Sequence, residues 1–385
     1  MRYESARLAD FSAVKNKGRR GGFDAEFFAL VLLLLSIGLV MVLSSSYARA
    51  YYDPSEVTGG NAAYYFVRQL VFAVLGIFAM LLASKIPMKL YRRFAPHFMG
   101  FTIVLLMLVP VIGVKANGSR RWLGIGGLTV QPSELAKLAV ILFFALLICR
   151  NGAKMKSFKW GIMPFIGVLA IVVGLLVLEP HFSASIIIIA IGGVMMFLGG
   201  VGLGWFIAAF TVAASAVALL LTLFPYASSR INTWRDPFSS SSDEGYQIVQ
   251  SLYSIGSGGL SGLGLGGSRQ KYLFLPEEHN DFIFSVVCEE LGFIGAALIL
   301  VLFSMLILRG YWIAMQCRDR FDFLVCAGIS TLLAIQVFLN VAVVTNLIPC
   351  TGISLPFFSY GGTALLIQLG EMGIILGASR KISKR

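Results

Sequence analysis

The chain has 385 residues, 57% of them hydrophobic and 13% charged, with a mean hydropathy of +0.83. Soluble domains run roughly 45–50% apolar and about 25% charged, so this composition excludes a soluble enzyme, a DNA-binding module and a disordered tail, and marks an integral membrane protein, which the spans below make an all-α polytopic membrane protein. The 31 Lys and Arg against 19 Asp and Glu leave a net charge of +12, which basic cytoplasmic loops explain without any nucleic acid.

A basic tail occupies residues 1–26 and is expected in the cytoplasm. A membrane helix needs about 20 mostly apolar residues, and ten stretches qualify, near 27–47, 65–84, 97–114, 134–150, 161–178, 182–199, 204–224, 281–309, 322–347 and 357–379. The first could be mistaken for a signal peptide, because Ala48-Arg49-Ala50 follows it like a cleavage site. Its apolar run from Phe27 to Leu43 exceeds the roughly 7–15 residues of a secretory h-region, so it reads as a retained helix. The membrane domain then covers 27–379, and 380–385 form a short cytoplasmic tail. Trp160, Trp205 and Trp312 fall at helix ends, as interfacial anchors do.

Alternate connections differ in charge. One side carries 21 Lys and Arg, the other eight, with Arg68 and Lys137 inside spans. Positive residues stay inside, which puts both termini in the cytoplasm and agrees with an even number of spans. One outer connection, 225–280 between the seventh and eighth spans, is far longer than the rest; such loops in compact bundles are usually functional.

Ionisable residues within spans are costly and mark candidate sites. The fourth span opens Gln131-Pro132-Ser133-Glu134-Leu135-Ala136-Lys137, placing Glu134 and Lys137 at i, i+3 on one face, where they should pair toward a cavity. The pair either fixes helix packing or lines a substrate site. Arg68 either snorkels to the interface or meets an anionic headgroup. Further on, Leu275-Pro276-Glu277-Glu278-His279-Asn280-Asp281 leads into the eighth span, and helical spacing would put Asp281, Ser285 and Glu289 on one stripe. Asp281 could be a helix cap, but Glu289 and Glu290 inside the span imply a polar cavity, in which a partly desolvated carboxylate could act as a general base.

The run Gly262-Leu263-Gly264-Leu265-Gly266-Gly267 fits G-x-G-x-x-G but lacks a βαβ context, so a dinucleotide site is rejected. It reads first as a flexible bend, with backbone amides near Arg269 and Lys271 that could meet a phosphate. Ile348 to Gly362, with two prolines and three glycines at a membrane edge, suggests a broken or re-entrant segment lining the same cavity. The five cysteines form no C-x-x-C pair and the three histidines are scattered, so neither a disulfide framework nor a zinc site is expected. Any metal would bridge acidic side chains and a substrate phosphate.

These motifs together resemble the SEDS family of shape, elongation, division and sporulation proteins, which comprises FtsW, RodA and SpoVE. The resemblance rests on Asn117-Gly118-Ser119-Arg120-Arg121-Trp122 with Gln131-Pro132-Ser133-Glu134 and Lys137; Gly245-Tyr246-Gln247 through Gln250-Ser251-Leu252; Leu275-Pro276-Glu277 through Phe284; Glu289-Glu290-Leu291-Gly292; and Pro349 to Gly362. Ser268-Arg269-Gln270-Lys271 is more similar to FtsW and SpoVE than to RodA. The resemblance implies a peptidoglycan glycosyltransferase of the bacterial cytoplasmic membrane. It would polymerise lipid II at the outer face with a class B penicillin-binding protein and other division or sporulation proteins.

The family's essential aspartate falls on Asp281, the implied general base. Pyrophosphate stabilisation is implied for Arg120, Arg121, Arg269 or Lys271, with Mg²⁺ or Mn²⁺ as the candidate cation. Arg68, Glu134, Lys137, Glu289, Glu290 and Ser359 complete the expected substrate-binding set. Two positions depart from the family pattern. Glu179-Pro180-His181 stands where relatives carry Pro-Asp, so that aspartate's role is dispensable, altered by His181 or carried by Glu179, and His181 would then make activity depend on pH near neutrality. Asn280 replaces a common threonine of similar size and polarity. The competing functional classes are a lipid II flippase, which would rely on Glu134 and Lys137, and a non-catalytic scaffold that activates the penicillin-binding protein.

Overall fold

The computed structural model describes residues 22–52, 58–116, 119–125, 128–211, 215, 232–239 and 243–382. Helix α1 (Ala25–Tyr52) starts where Asp24 accepts the Phe27 amide through Oδ1 at 2.9 Å, an N-cap contact. It is followed by α2 (Tyr64–Ala83) and α3 (Met88–Ile112). A three-stranded antiparallel meander comes next, β1 (Val114–Ala116), β2 (Ser119–Ile125) and β3 (Leu128–Val130). Then come α4 (Pro132–Asn151), α5 (Met163–Leu178), α6 (Phe182–Leu198) and the helical stretch α7 (203–211). The chain ends with α8 (Asp243–Gly258), α9 (Ile283–Gln316), α10 (Arg320–Val344) and α11 (Gly362–Ser379).

Seven of these helices, α1 to α4 and α9 to α11, are long and apolar enough to cross a membrane, and α5 and α6 are shorter apolar helices of 16 and 17 residues. The last part of the expected seventh span, 216–224, lies outside the described residues. Burial separates the helices into two classes. In the most apolar stretch of α4 and of α10, 72% of residues are buried, against 22% in α2. Helices α4 and α10, with α11 at 67%, therefore form the centre, and the other long helices turn one face outward to lipid. Gly328 of α10 has Ile141 of α4 and Met195 of α6 against its Cα, so three helices meet there at close range.

Several elements differ from the sequence expectation. The third span begins at Met88 rather than 97, because Pro87 sets its N-terminus and the basic turn Tyr91-Arg92-Arg93 belongs to the helix. The tenth begins at Gly362 rather than 357, because Phe357 and the backbone before it follow an irregular path. That path presses on α1 at Gly38, where any Cβ would collide with the Phe357 carbonyl. The meander at 114–130 was not expected; Gly126-Gly127 between β2 and β3 is the hairpin signal that marks it.

The long 225–280 connection is largely structured where it is described. Trp234 donates through Nε1 to the Asn346 carbonyl at 3.1 Å, and Asn346 Nδ2 returns a bond to the Trp234 carbonyl at 3.1 Å. Helix α8 packs along the first turns of α9, with Gly258 against the Cys288 carbonyl. Helix α9 itself breaks at Gly292, whose φ of 67° is outside the helical region.

Candidate active site

A cavity of about 370 Å³ lies at the end of the bundle away from Asp24 and Ser379, lined from the meander, α2, α4, α6, the 277–281 turn, α10 and the 352–365 segment. Of the residues expected at the site, Arg68, Arg121, Glu134, Lys137, Asp281 and Ser359 line it. Its polar wall includes Gln131, Gln336 and Gln368, and His181 and Tyr360 also contribute.

Asp281 does not sit on the helix. It belongs to a turn in which the Asn280 and Phe282 amides both donate to the Glu277 carbonyl, at 3.0 and 3.3 Å, and α9 starts only at Ile283. The expected stripe of Asp281, Ser285 and Glu289 is therefore broken. The turn is held from outside by Asn340 of α10, whose Nδ2 donates to the Asp281 carbonyl at 2.8 Å and to the Ile353 carbonyl at 2.6 Å. Ser359 acts in the same way, since its hydroxyl donates to the Asn280 carbonyl at 2.7 Å and accepts the Leu355 amide at 2.7 Å. Gln69 of α2 closes the set, donating to the Ser359 carbonyl and accepting the Gly361 amide. The Asp281 carboxyl lines the cavity while its turn is held at the Asp281 carbonyl by Asn340 and at the Asn280 carbonyl by Ser359, which Gln69 holds in turn.

Burial pushes the Asp281 carboxyl up to about 6, with Glu277 adding to the shift and Arg121 and His279 opposing it. Arg121, on β2, donates through Nη2 to the Pro180 carbonyl at 2.6 Å. Burial lowers its pKa while the charges of Asp281 and Glu179 oppose the fall. Glu179 is 1% exposed and neither carboxylate oxygen has a partner among the described residues; burial raises it to about 8 against the pull of Arg121.

His181 behaves differently from the expectation. Burial first, then Arg121 and Lys137, push its imidazole down to about 3. It is neutral across the physiological range, so the titration near neutrality expected of His181 falls instead to Asp281 and Glu179.

Glu134 and Lys137 pair as the spacing predicts, with Lys137 Nζ 2.7 Å from Glu134 Oε2 and both residues buried. They sit on the first turns of α4 behind Gln131, inside the cavity.

The remaining expected residues are elsewhere. Glu289 accepts the hydroxyls of Ser254, Ser257 and Ser268, at 2.9, 3.2 and 2.6 Å, together with the Arg269 amide at 3.0 Å. Glu290 accepts Ser44 Oγ at 2.7 Å and pairs with Lys271 Nζ at 2.9 Å. Neither glutamate lines the cavity; both fasten the 259–271 loop to α9 and α1. Lys271 is 3% exposed and also donates to the Gly266 carbonyl at 2.7 Å, so its ammonium is committed to this loop rather than to a phosphate. Arg120 points outward, donating to the Pro110 carbonyl at 3.2 Å, and Arg269 is exposed away from the cavity. Alternation along β2 explains the first case, since neighbouring strand residues face opposite sides.

Tyr360 belongs to the 348–362 segment expected to line the cavity, and it does; the residues that sequence reasoning missed are Asn340, Gln69, Gln336, Gln368 and Tyr65. The Tyr65 ring lies 4.7 Å from that of His279 and 5.0 Å from that of Tyr360, forming an aromatic wall beside the 277–281 turn. The glutamines and Asn340 carried a signal, being amides within apolar helices, where an unpaired polar group is costly.

Fold and site together define a polytopic membrane protein whose helices enclose a polar cavity bearing a carboxylate, an arginine and a buried Lys–Glu pair. The family model described as "Cell cycle protein" (FtsW/RodA/SpoVE) matches residues 24–384, and the chain belongs to that family. The chain is 39% identical to the stage V sporulation protein E of Bacillus subtilis, over 93% of this chain and 97% of that one. It is 38% identical to a probable peptidoglycan glycosyltransferase FtsW of Trichlorobacter lovleyi, over 94% of each. Among solved structures, a chain from a peptidoglycan synthase complex that coordinates polymerisation and crosslinking superposes with a TM-score of 0.78 at 28% identity, covering 94% of this chain and 99% of that one. The rod shape determining protein RodA of Thermus thermophilus superposes at 0.69 with 27% identity, over 94% and 98%.

Proposed function

We propose that this protein is a peptidoglycan glycosyltransferase that polymerises lipid II, with Asp281 as the general base. The observation that carries the reading is the Asp281 carboxyl, raised to about 6 and facing Arg121 across a polar cavity. A general base works best with a pKa near the working pH. In the reaction, a sugar hydroxyl of one lipid-linked chain attacks the anomeric carbon of another. Its proton passes to Asp281, the anomeric carbon–oxygen bond to pyrophosphate breaks with inversion, and the lipid pyrophosphate leaves. Positive charge aimed at the leaving oxygens supplies the other half of the catalysis. Arg121 and Arg68 occupy the cavity for that role, in place of Arg120, Arg269 and Lys271.

Both termini lie in the cytoplasm in this reading and the cavity opens at the outer face, because 21 of the basic residues fall on the side of the termini. The working unit includes a class B penicillin-binding protein, in line with the synthase complex whose chain superposes on this one. A role in division or sporulation is part of this reading, supported by relatives named stage V sporulation protein E and FtsW. Among the described residues, no three carboxylate, imidazole or thiol groups converge to hold a metal. No step above is routed through Mg²⁺ or Mn²⁺.

One observation favours a second reading, a lipid II flippase: Glu134 and Lys137 line the cavity from within a span. The deciding experiment measures glycan chains formed from purified lipid II by this protein with its transpeptidase partner, comparing wild type with Asp281→Asn at matched folding. Polymer from the wild type alone supports the base. Equal polymer from both places the base elsewhere. No polymer from either, in an assay validated with an active relative, turns attention to transport.

A further inference from the structure

The glycine-rich run that serves no part of this mechanism has a structural peculiarity at the break in α9. In an unbroken helix the amides of Phe293 and Ile294 would donate to the carbonyls of Glu289 and Glu290. At Gly292 that ladder is interrupted, and the loop takes both halves. The Leu263 and Gly264 amides donate to the Glu289 and Glu290 carbonyls at 2.9 and 3.0 Å, while the Phe293 and Ile294 amides donate to the Gly259 and Leu260 carbonyls at 2.9 and 3.1 Å. Four backbone bonds thus replace two. Gly262 and Gly292 approach so closely that a Cβ on either would strike the other segment.

The height of this junction follows from two helices. At the end where Asp24 meets Ser379, Arg309 of α9 pairs with Asp24 at 2.7 Å and lies over the Trp312 ring at 4.3 Å, an interfacial arrangement. At 1.5 Å per residue Phe293 stands about 24 Å above Arg309, and about 28 Å above Trp312. The hydrocarbon core is about 30 Å thick, and any tilt shortens the climb further. Helix α1 provides an independent ruler: Ser44, which bonds Glu290, stands about 30 Å above Asp24 by the same rise. Glu290 is therefore at the membrane boundary, and the loop hooked onto Phe293 and Ile294 dips below it.

The side chains agree. Leu260, Leu263 and Leu265 are 71%, 42% and 63% exposed, beside Phe293 and Ile294 at 67% and 64%. These continue into the exposed apolar stripe of α9 at Leu298, Val301 and Met305. From Gly258 to Gly267 there is no charged residue. Within lipid, backbone polar groups need internal partners, and the four-bond exchange supplies them for the helix groups freed at Gly292 and for Gly259, Leu260, Leu263 and Gly264 of the loop. In water it would not be required.

We propose that residues 259–266 form a re-entrant turn seated within the outer leaflet, with Leu260, Leu263 and Leu265 in contact with phospholipid acyl chains. The term outer rests on the orientation proposed above; a reversed orientation would move the turn to the other leaflet and leave the depth unchanged. The test places the full chain in phosphatidylcholine vesicles whose acyl chains are brominated at defined depths, and reads the emission that Leu260→Trp or Leu265→Trp adds to the five native tryptophans. Quenching as strong as that of Phe293→Trp, with no response to water-soluble acrylamide, is expected. Quenching by acrylamide with none by brominated lipid would overturn the proposal, and protection from acrylamide only on adding the partner transpeptidase would assign the patch to protein contact instead. Because the added indoles could disturb the turn, the unmodified chain is also photolabelled with an apolar diazirine dissolved in the bilayer. Label on 259–266 together with α9 supports the seat in lipid, whereas label on α9 alone removes it.

Discussion

Asn340 donates to the backbone carbonyl of Asp281 at 2.8 Å, so the residue read as the base is positioned through its main chain and not through its carboxylate. The same Nδ2 reaches the Ile353 carbonyl at 2.6 Å, tying the 281 turn to the irregular segment before α11. Asp281 can therefore be altered at its carboxyl without cutting what holds the turn.

Replacing Asp281 by Asn should lower glycan polymerisation by roughly 10²–10⁴-fold, the usual scale for a general base, with little change in melting temperature. In the wild type, the rate should climb as pH rises through about 6, because only the ionised carboxylate accepts the proton. A pH profile flat between 5 and 7 would remove Asp281 from this role.

Asn340→Ala should reduce polymerisation while lowering stability by about 1–3 kcal/mol, the cost of leaving buried carbonyls unpaired. Displacement of a catalytic group by about 1 Å can cost about 10²-fold in rate. A variant with normal kcat and a lowered melting temperature would show that this link only supports folding.

Lys271→Met should destabilise the protein by about 3–5 kcal/mol, since it leaves Glu290 charged and buried. The double variant Lys271→Met, Glu290→Leu should recover stability and much of the polymerising activity, because neither group faces the cavity. If the double variant folds but makes no polymer, Lys271 contacts substrate after all.

Lys137→Met should be equally destabilising through Glu134, but here recovery of fold in Lys137→Met, Glu134→Leu should leave activity impaired, because both residues line the cavity. Comparing the two double variants by melting temperature and polymer yield separates a structural ion pair from one at the site.

Glu179 carries a pH dependence of stability. Its carboxyl is raised to about 8 in the folded chain from an ordinary value of 4.5, so the folded state holds a proton that the unfolded state has lost. Stability from this group is full below about 4.5 and is lost as pH rises through about 8. The melting temperature of the wild type should fall across that window, and Glu179→Gln should flatten the fall. A steeper slope in the variant would contradict the assignment.

Composition and apolar run lengths alone determined that the chain lives in a membrane and roughly where its helices lie, because the hydrocarbon core imposes a length on each span whatever its neighbours do. The i, i+3 spacing likewise determined the Glu134–Lys137 pair, which one helical turn suffices to make. Tertiary structure alone decided which ionisable residues share the cavity. Glu289 and Glu290 read as cavity residues because they are buried in an apolar helix, yet their partners Ser268, Arg269 and Lys271 come from a loop about 20 residues earlier that folds back upon them. Asn340 and Ser359, which fix the Asp281 turn, come from beyond α9. Such contacts depend on how helices pack and on where a ladder breaks at a single glycine, and no local periodicity records either.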